Sequence, residues 1–476
     1  MINVLPRSFI RMGILPTVSV LFLAGCTLAP DYSRSELPVP TEWENSAATK
    51  MAGMSDQQAD TLSWQQFIRD ERLTQLIELA LNNNRSLRQT LEDVESARAI
   101  YRIQDAELYP QIDANLGGTR SKASSGEIST GYEASIGLTR YEIDLFGKNQ
   151  SLTTADMESY LASEETGKAA KIALISEIAN AWLTLAADNN QLSLAKETKV
   201  NAQKTLDITN KRLEFGVDSK IDVASAETVY YSAGSDIASY STQVSQDFNA
   251  LRLLVGDDIA PELLPASLPD DTDFVSDVPV GLSSDVLLAR PDVLAAEHDL
   301  KSANADIGAA RAAYFPSINL TATGGLASSV LADIFTGGAS SIWTIAPTIS
   351  LPIFSAGAND ANLDYSESQQ RKYLAAYEYA IQSAFSEVAD ALARRATIQA
   401  QLDAEKALVS AATRSYDLSL ARYKGGIDTF QSALEAQRTM YQAKQSLIIS
   451  KQADLNNRIT LYRVLGGGLA ETTNSN

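Results

Sequence analysis

The chain of 476 residues contains a single cysteine, Cys26, and a single histidine, His298. One cysteine leaves no intrachain disulfide and, once modified, no thiol for redox or Cys–His chemistry. The sequence has no glycine-rich phosphate loop and no HExxH, and one histidine makes a poor start for a Ser-His-Asp site, so an enzyme is not expected. The six methionines are scattered and give no copper- or silver-handling signature. Positive charge is also short, with 39 Lys+Arg against 59 Asp+Glu and a net charge of -20. A nucleic-acid partner is therefore excluded, since phosphate neutralisation needs a basic face. Past Cys26 no apolar run approaches the ~18 residues of a membrane helix. Proline is missing from residues 151–213, where Gly167 is the only glycine.

The N-terminus differs from the rest. Arg7 and Arg11 are the only charges before Cys26, and "GILPTVSVLFLA" (13–24) is a short apolar stretch. This reads as a secretory signal peptide over residues 1–25. It ends in "LAGC", which resembles a bacterial lipobox, so cleavage should leave Cys26 as an acylated N-terminus. Several acyl chains anchor firmly where a single chain binds only marginally.

The remainder is built twice. "RLEFGVDSKIDVASAET" (212–228) and "RYKGGIDTFQSALEAQR" (422–438) share Arg212/Arg422, Gly216/Gly426, Asp218/Asp428 and Ala226/Ala436. "LRLLVG" and "LYRVLG", "AELYPQI" and "AAYFPSI", and "DLFG" and "PIFS" recur in the same order at nearly the same offset. A unit of ~200 residues is far longer than a solenoid repeat, so this is duplication. The expected division is a lipidated segment 26–72, a first repeat 73–256, a connector 257–282 that wraps the outside, a second repeat 283–466 and a mobile tail 467–476.

Each repeat reads as helix, strand pair, long helix, turn, helix. The opening helix of the second unit is expected over 283–313. Period-two alternation marks four strands, in 111–119, 131–139, 317–325 and 341–353. Ile112, Ala114 and Leu116 share a face, as do Tyr132, Ala134, Ile136 and Leu138; Ile318, Leu320 and Ala322; and Trp343, Ile345, Pro347, Ile349 and Leu351. Such segments suit a membrane β-strand and, equally, a half-buried soluble sheet. Polar loops, 121–131 and 328–341, are expected to join each pair. The stretch 151–213 predicts one continuous helix, with a 3/4 seam from Leu174 through Ile178, Leu185, Asp188, Leu192 and Leu206 to Leu213. A matching seam runs from Ile381 through Val388, Leu402 and Tyr416 to Tyr423. Gly216, Gly425 and Gly426 can supply the positive φ that ends these helices, and Asp218 or Ser219, and Asp428 or Thr429, can cap the returning ones. The repeated motif is thus the tip of a helical hairpin.

Four strands cannot close in lipid, where open edges are forbidden. Two chains would give eight strands with a filled interior, whereas three give twelve and a lumen. The expected class is an α+β membrane protein: a homotrimer with a twelve-stranded β-barrel, four strands per chain, continued by a twelve-helix periplasmic α-barrel.

At this point a resemblance becomes specific. "LLARPDVLAAEHDLKSANADIGAARAAYFPSINLTATGG" (287–325) resembles the signature of the outer membrane factor family, the TolC-like channels. "GCTLAPDY" (25–32) and "RYKGGIDTFQSALEAQRTMYQAKQSLI" (422–448) resemble its NodT-type lipoprotein branch. The resemblance runs from Cys26 to about Gly468. It implies a homotrimeric exit channel for small toxic compounds, partnered by a periplasmic membrane fusion adaptor and an inner-membrane RND pump. It also implies a periplasmic constriction just past the second tip. By that match Gln431, Glu435 and Arg438 are the gate candidates. Their i, i+4, i+3 spacing puts them on one helix face, and an ordinary solvated ion pair would produce the same pattern. Relatives read as carrying Asp and Leu at gate positions, and Glu435 and Gln431 depart from that. The first repeat has Ser225 and Ile221 at the equivalent places, so only the second tip is charged. Gly216, Val217, Asp218, Gly425, Gly426, Ile427 and Asp428 are candidate adaptor contacts. His298 reads as structural, and no cofactor is implied beyond lipid on Cys26. The alternatives are an exit duct for type I protein secretion and a structural coiled-coil lipoprotein.

Overall fold

The structure is a computed structural model, described for residues 27–34, 36–43, 63–269, 274–276 and 283–467. The signal peptide, Cys26 and most of the tail lie outside these residues. The chain divides into two compact units. One comprises Ile100–Asp156 and Ser302–Gln370 with the chain up to Tyr32; the other comprises Ser33–Ala99, Met157–Lys301 and Arg371–Asn476.

The first unit holds the sheet. Its strands β1 (Ile112–Lys122), β2 (Ile128–Glu142), β3 (Ser317–Ser328) and β4 (Ser340–Ser350) lie in the order β1-β2-β3-β4. All three pairings are antiparallel. Because side chains alternate and cross-strand partners share a face, the register sorts every residue. On one face the rows run Ile112/Leu138/Ala322/Ile345, Ala114/Ile136/Gly324/Trp343 and Leu116/Ala134/Leu326, with Leu320/Pro347 and Ile318/Ile349 beyond. The opposite face carries Asp113, Asn115, Thr119, Ser121, Ser135, Glu133, Thr321, Thr323, Thr344 and Thr348. The alternation expected from sequence is therefore cross-strand consistent: one side apolar, the other rich in hydroxyls. A register shift between Leu138 and Tyr141 bends β2. Two glycines allow β2 and β3 to approach closely. A Cβ at Gly137 would fall 2.2 Å from the Ala322 carbonyl oxygen, and one at Gly325 2.2 Å from that of Ala134.

The expected loop 121–131 shortens to a five-residue connection, since both flanking strands run on to Lys122 and from Ile128. The expected loop 328–341 is a correction, because it contains the helix α7 (Leu331–Thr336), ended by Gly337 at φ 83°. Its Ser328–Asp333 hydrogen bond of 2.9 Å ties the turn together. The polar residues around it concealed a single amphipathic turn.

The second unit is helical. It opens with α1 (Trp64–Phe67) and α2 (Glu71–Asn83), whose N-cap Asp70 accepts from Arg72 N and Leu73 N. α2 buries Leu73, Leu76, Ile77 and Ala80, the i, i+3, i+4, i+7 stripe of an amphipathic helix. Next come α3 (Arg85–Ala106), α4 (Lys148–Glu214) and α5 (Lys220–Val255). The second repeat supplies α6 (Pro291–Ala312), α8 (Ala358–Lys424) and α9 (Phe430–Val464). Residues 100–106 of α3, 148–156 of α4, 302–312 of α6 and 358–370 of α8 belong to the first unit. α4 and α8 have 67 residues each, as the proline-free stretches require. One 18-residue window of α4 reaches a mean hydropathy of 1.2, enough to cross a bilayer by composition, but 56% of it is buried. Ile178, Ala179, Trp182 and Leu183 within α4 are fully buried, so this is a packed helix.

The second repeat's opening helix starts later than expected. Residues 284–289 form a 3-10 turn, Arg290 is extended at ψ 135°, and the α-helix begins at Pro291. Proline drives its predecessor out of the α region and suits the first helical position. The extended Arg290 serves a joint. Its Nη1 donates to the Val464 carbonyl at 2.8 Å, and its Nη2 donates to Asp292 at 2.6 Å and Glu387 at 3.0 Å. Burial acts to raise the Asp292 carboxyl, and the Arg290 guanidinium outweighs it, holding the group below its ordinary range. The first repeat has the same joint in another chemistry. Asn84 Nδ2 donates to the Leu254 carbonyl at 2.6 Å, while Asn84 Oδ1 accepts from Leu87 N at 2.7 Å. Each joint seats the C-terminus of one helix on the N-terminus of another, satisfying orphan carbonyls and aligning the dipoles head to tail.

The described part of the connector lies against α4. Trp182 Nε1 donates to the Leu263 carbonyl at 3.0 Å, Asn189 donates to that of Pro265 at 2.9 Å, and Phe274 stacks on Trp182. His298 Nδ1 meets Glu158 Oε2 at 2.6 Å, an interhelical tether between α6 and α4.

Asp188, the acidic residue in the α4 seam, faces Asp247 of α5, whose Oδ2 is buried without a hydrogen-bond partner. Two neighbouring carboxylates disfavour each other's charged form. Burial, then the neighbouring Asp247 carboxylate, pushes the Asp188 carboxyl up to about 6. A folded-state value above the unfolded one makes the folded protein bind more protons between about pH 4 and 6, so stability falls as pH rises through that window. Asp188→Asn is expected to stabilise the protein at pH 7.5 by ~1 kcal/mol, allowing for solvent screening, and to leave it unchanged near pH 3, below the unfolded carboxyl's range. Thermal unfolding at the two pH values checks this; an equal shift at both would contradict it.

Candidate functional site

The candidate residues gather at the two hairpin tips, both in the second unit. Each tip closes its long helix with the same pair of backbone bonds. Val217 N donates to Arg212 O at 2.8 Å and Gly216 N to Leu213 O at 2.9 Å; Ile427 N donates to Arg422 O at 2.9 Å and Gly426 N to Tyr423 O at 3.0 Å. This is the Schellman arrangement, and it places Gly216 at φ 73° and Gly426 at φ 71°, which side chains disfavour. The returning helices are capped differently. Ser219 and Asp222 form a reciprocal capping box on α5. At α9 Thr429 is the N-cap without a side-chain bond, and Asp428 Oδ1 accepts from Thr429 N at 2.9 Å and Ser432 Oγ at 3.2 Å. The Thr429 amide, then Arg422 and Ser432, hold the Asp428 carboxyl below its ordinary range.

The two tips are not equivalent. In the first, Arg212 Nε donates to both Asp218 oxygens at 3.1 Å. Its counterpart Arg422–Asp428 is a single 3.3 Å contact. Arg212 and Asp218 are 20% and 7% exposed, against 56% and 31% for Arg422 and Asp428. The first pair is buried because the second hairpin covers it. The Tyr423 hydroxyl of α8 donates to Asp218 Oδ2 and lies 3.0 Å from Thr209 Oγ1 of α4. The Arg212 guanidinium sits 4.6 Å over the Tyr423 ring. Burial, then the bond to Asp218, pushes the Tyr423 phenol up to about 12, so it remains a neutral donor at any physiological pH. Beneath this bolt Tyr423, Phe430, Ala433 and Leu434 pack with Ala226, flanked by Leu206, Val229 and Leu420. The polar cluster and its apolar floor thus fasten the hairpin of one repeat to that of the other.

The gate candidates stand on the exposed side of α9. Gln431 Nε2 donates to Glu435 Oε1 at 3.0 Å. Arg438 lines a cavity of ≈ 260 Å³ together with Asp236 and Tyr441, and Asp236 accepts from the Tyr441 hydroxyl at 3.0 Å. Among the described residues Glu435 and Arg438 form no ion pair with each other, so within one chain the three candidates are two joined and one apart. Of the candidate adaptor contacts, Val217 (61% exposed) and Ile427 (68%) project freely at equivalent places. Asp218 does not, because it is spent on the bolt. Sequence reasoning missed Tyr423 and Thr209. The available signal was the repeat comparison itself, which sets Tyr423 opposite Leu213.

The chain matches the family described as outer membrane efflux protein over residues 76–257 and 282–467. It is 42% identical over 463 residues to the toluene efflux pump outer membrane protein TtgC of Pseudomonas putida, covering 96% of this chain and 95% of that one. It is 39% identical to the outer membrane protein OprJ of Pseudomonas aeruginosa, covering 96% of each. The open state of the Neisseria gonorrhoeae MtrE outer membrane channel superposes with a TM-score of 0.85 at 38% identity, covering 94% of this chain and 100% of that one. The fold is TolC-like, each chain giving four strands to a twelve-stranded trimeric barrel. The chain belongs to the outer membrane efflux protein family.

Proposed function

We propose that this outer-membrane chain is the exit duct of a tripartite efflux pump, passively conducting small toxic compounds. The family is one of channels, not of enzymes. The observation that carries the reading is the polar face of the sheet. Asn115, Thr119, Ser135, Thr321, Thr323, Thr344 and Thr348 present hydroxyls and an amide, with Asp113, Glu133 and Glu142 as the charges. Such a lining is wet and unselective, which suits transit and offers no binding pocket for a particular cargo. The relatives' names, toluene efflux pump and antibiotic efflux pump outer membrane proteins, agree with small apolar cargo. Energy and selectivity then belong to an inner-membrane RND pump, and a periplasmic adaptor meets the tips at Val217 and Ile427. Lipid on Cys26 secures the chain at the membrane.

In this reading the bolt holds the tip closed, and Glu435 and Arg438 of adjacent subunits add to the seal. Deletion of the chain in a strain that keeps its pump is expected to lower tolerance to toluene and to several unrelated antibiotics at least fourfold. Loss of one secreted protein with unchanged drug tolerance would instead establish the secretion duct. Glu435→Ala with Arg438→Ala is expected to raise single-channel conductance in planar bilayers, and unaltered closure would remove these residues from the gate.

A further inference from the structure

The apolar face of the sheet contains an anomaly. From Ile112, Ala114 and Leu116 the same face of β1 continues through Gly118 to Arg120 and Lys122, opposite Thr130 and Ile128 of β2. Among residues placed by the strand ladders, these two are the only charged side chains on that face, and both are cations. Both are exposed, and neither forms an ion pair among the described residues. The nearest carboxylate in sequence, Glu127 of the connecting turn, pairs with neither. As i and i+2 on one strand they stand ~7 Å apart. Two unneutralised cations that close, on a surface turned to lipid, are costly unless an anion joins them.

Their position says which anion. The opposite ends of the strands lead into helices, which belong to the periplasm, so the β1–β2 turn is at the external end. Ile112 to Lys122 covers 11 residues, about the length of a tilted membrane-crossing strand. Arg120 and Lys122 therefore lie where hydrocarbon gives way to the head groups of the outer leaflet. Tyr132, opposite Gly118 just inside them, sits where an aromatic girdle marks that boundary.

We propose that Arg120 and Lys122 form a binding site for the phosphate groups of outer-leaflet lipid, repeated three times around the barrel. The guanidinium takes phosphate oxygens in a fork and the ammonium adds a point charge, while the adjoining Leu116–Ala134 row meets the acyl chains. The site is on the face of the sheet opposite the polar lining.

The test uses the full-length trimer in phosphatidylethanolamine nanodiscs doped with bisphosphorylated lipid A, with retained lipid counted by native mass spectrometry. Arg120→Gln with Lys122→Gln is expected to lower lipid A affinity roughly 25-fold, about fivefold per cation. Arg120→Lys with Lys122→Arg should keep it, and excess inorganic phosphate should not displace it. Trimer integrity in each variant separates binding from folding. Equal retention by the wild type and the Gln variant would overturn the site. Retention of lipid A stripped of both phosphates as firmly as the intact lipid would also overturn it, and displacement by inorganic phosphate would reassign it to a free anion.

Discussion

Replacing Asp218 with alanine is expected to open the tip and raise single-channel conductance severalfold. Asp218 is 7% exposed and receives both Arg212 and Tyr423. Its removal strands a half-buried guanidinium and a buried phenol, a loss of about 2–4 kcal/mol per chain. A closed-to-open equilibrium changes tenfold for each 1.4 kcal/mol, so even a well-closed population moves far toward open. Tyr423→Phe removes one of the two partners of Asp218 and should act in the same direction with a smaller effect. The duplicated motif supplies an internal control. Asp428→Ala breaks a pair whose members are 56% and 31% exposed, and solvent-exposed pairs contribute little. A variant at Asp218 that conducts like the wild type, or an Asp428 variant that conducts more than it, would refute the bolt.

Gly137→Ala is expected to abolish assembly. The added Cβ would meet the Ala322 carbonyl oxygen at 2.2 Å and the Thr323 Cα at 2.6 Å. Both are backbone atoms of the neighbouring strand, so no rotamer change relieves the overlap. Relief requires β2 and β3 to part, which unpairs a ladder inside the bilayer, where each lost backbone bond costs several kcal/mol. The measurement is the yield of detergent-resistant trimer in outer-membrane fractions, expected to fall to near zero. Gly117→Ala, on the same polar face with nothing within 4 Å of its Cβ, should assemble normally. Equal yields would show that β2 and β3 have room to adjust.

Local pattern accounts for what was readable in the sequence. The strand faces came from period two, the 67-residue helices from missing proline, and the tips from glycine and aspartate repeated in register. Each is a property of residues within a few positions of one another. The bolt is not, since Asp218 and Tyr423 are 205 positions apart. Asp218 read correctly as a turn residue, and its second task was invisible without the fold. Tyr423 was counted as one more apolar seam position because its ring does pack; the hydroxyl carries the rest. Arg290 was hidden for a related reason. Residues 283–313 read as one helix, and only the structure breaks it at Arg290 and brings the Val464 carbonyl to that guanidinium. The short helix α7 was lost among serines and glycines, where one amphipathic turn is too brief to show a period.

The two helix joints have a mechanical consequence. A continuous α-helix such as α4 or α8 yields to torque by bending along its length, like a rod. A column made of α5 on α3, or α9 on α6, has a pivot where only a few hydrogen bonds from Asn84 or Arg290 cross the break. Twisting below the pivot need not be transmitted as strain above it. A movement imposed at the tips is therefore shared unequally, with half the columns storing it elastically and the other half releasing it at a hinge of fixed height.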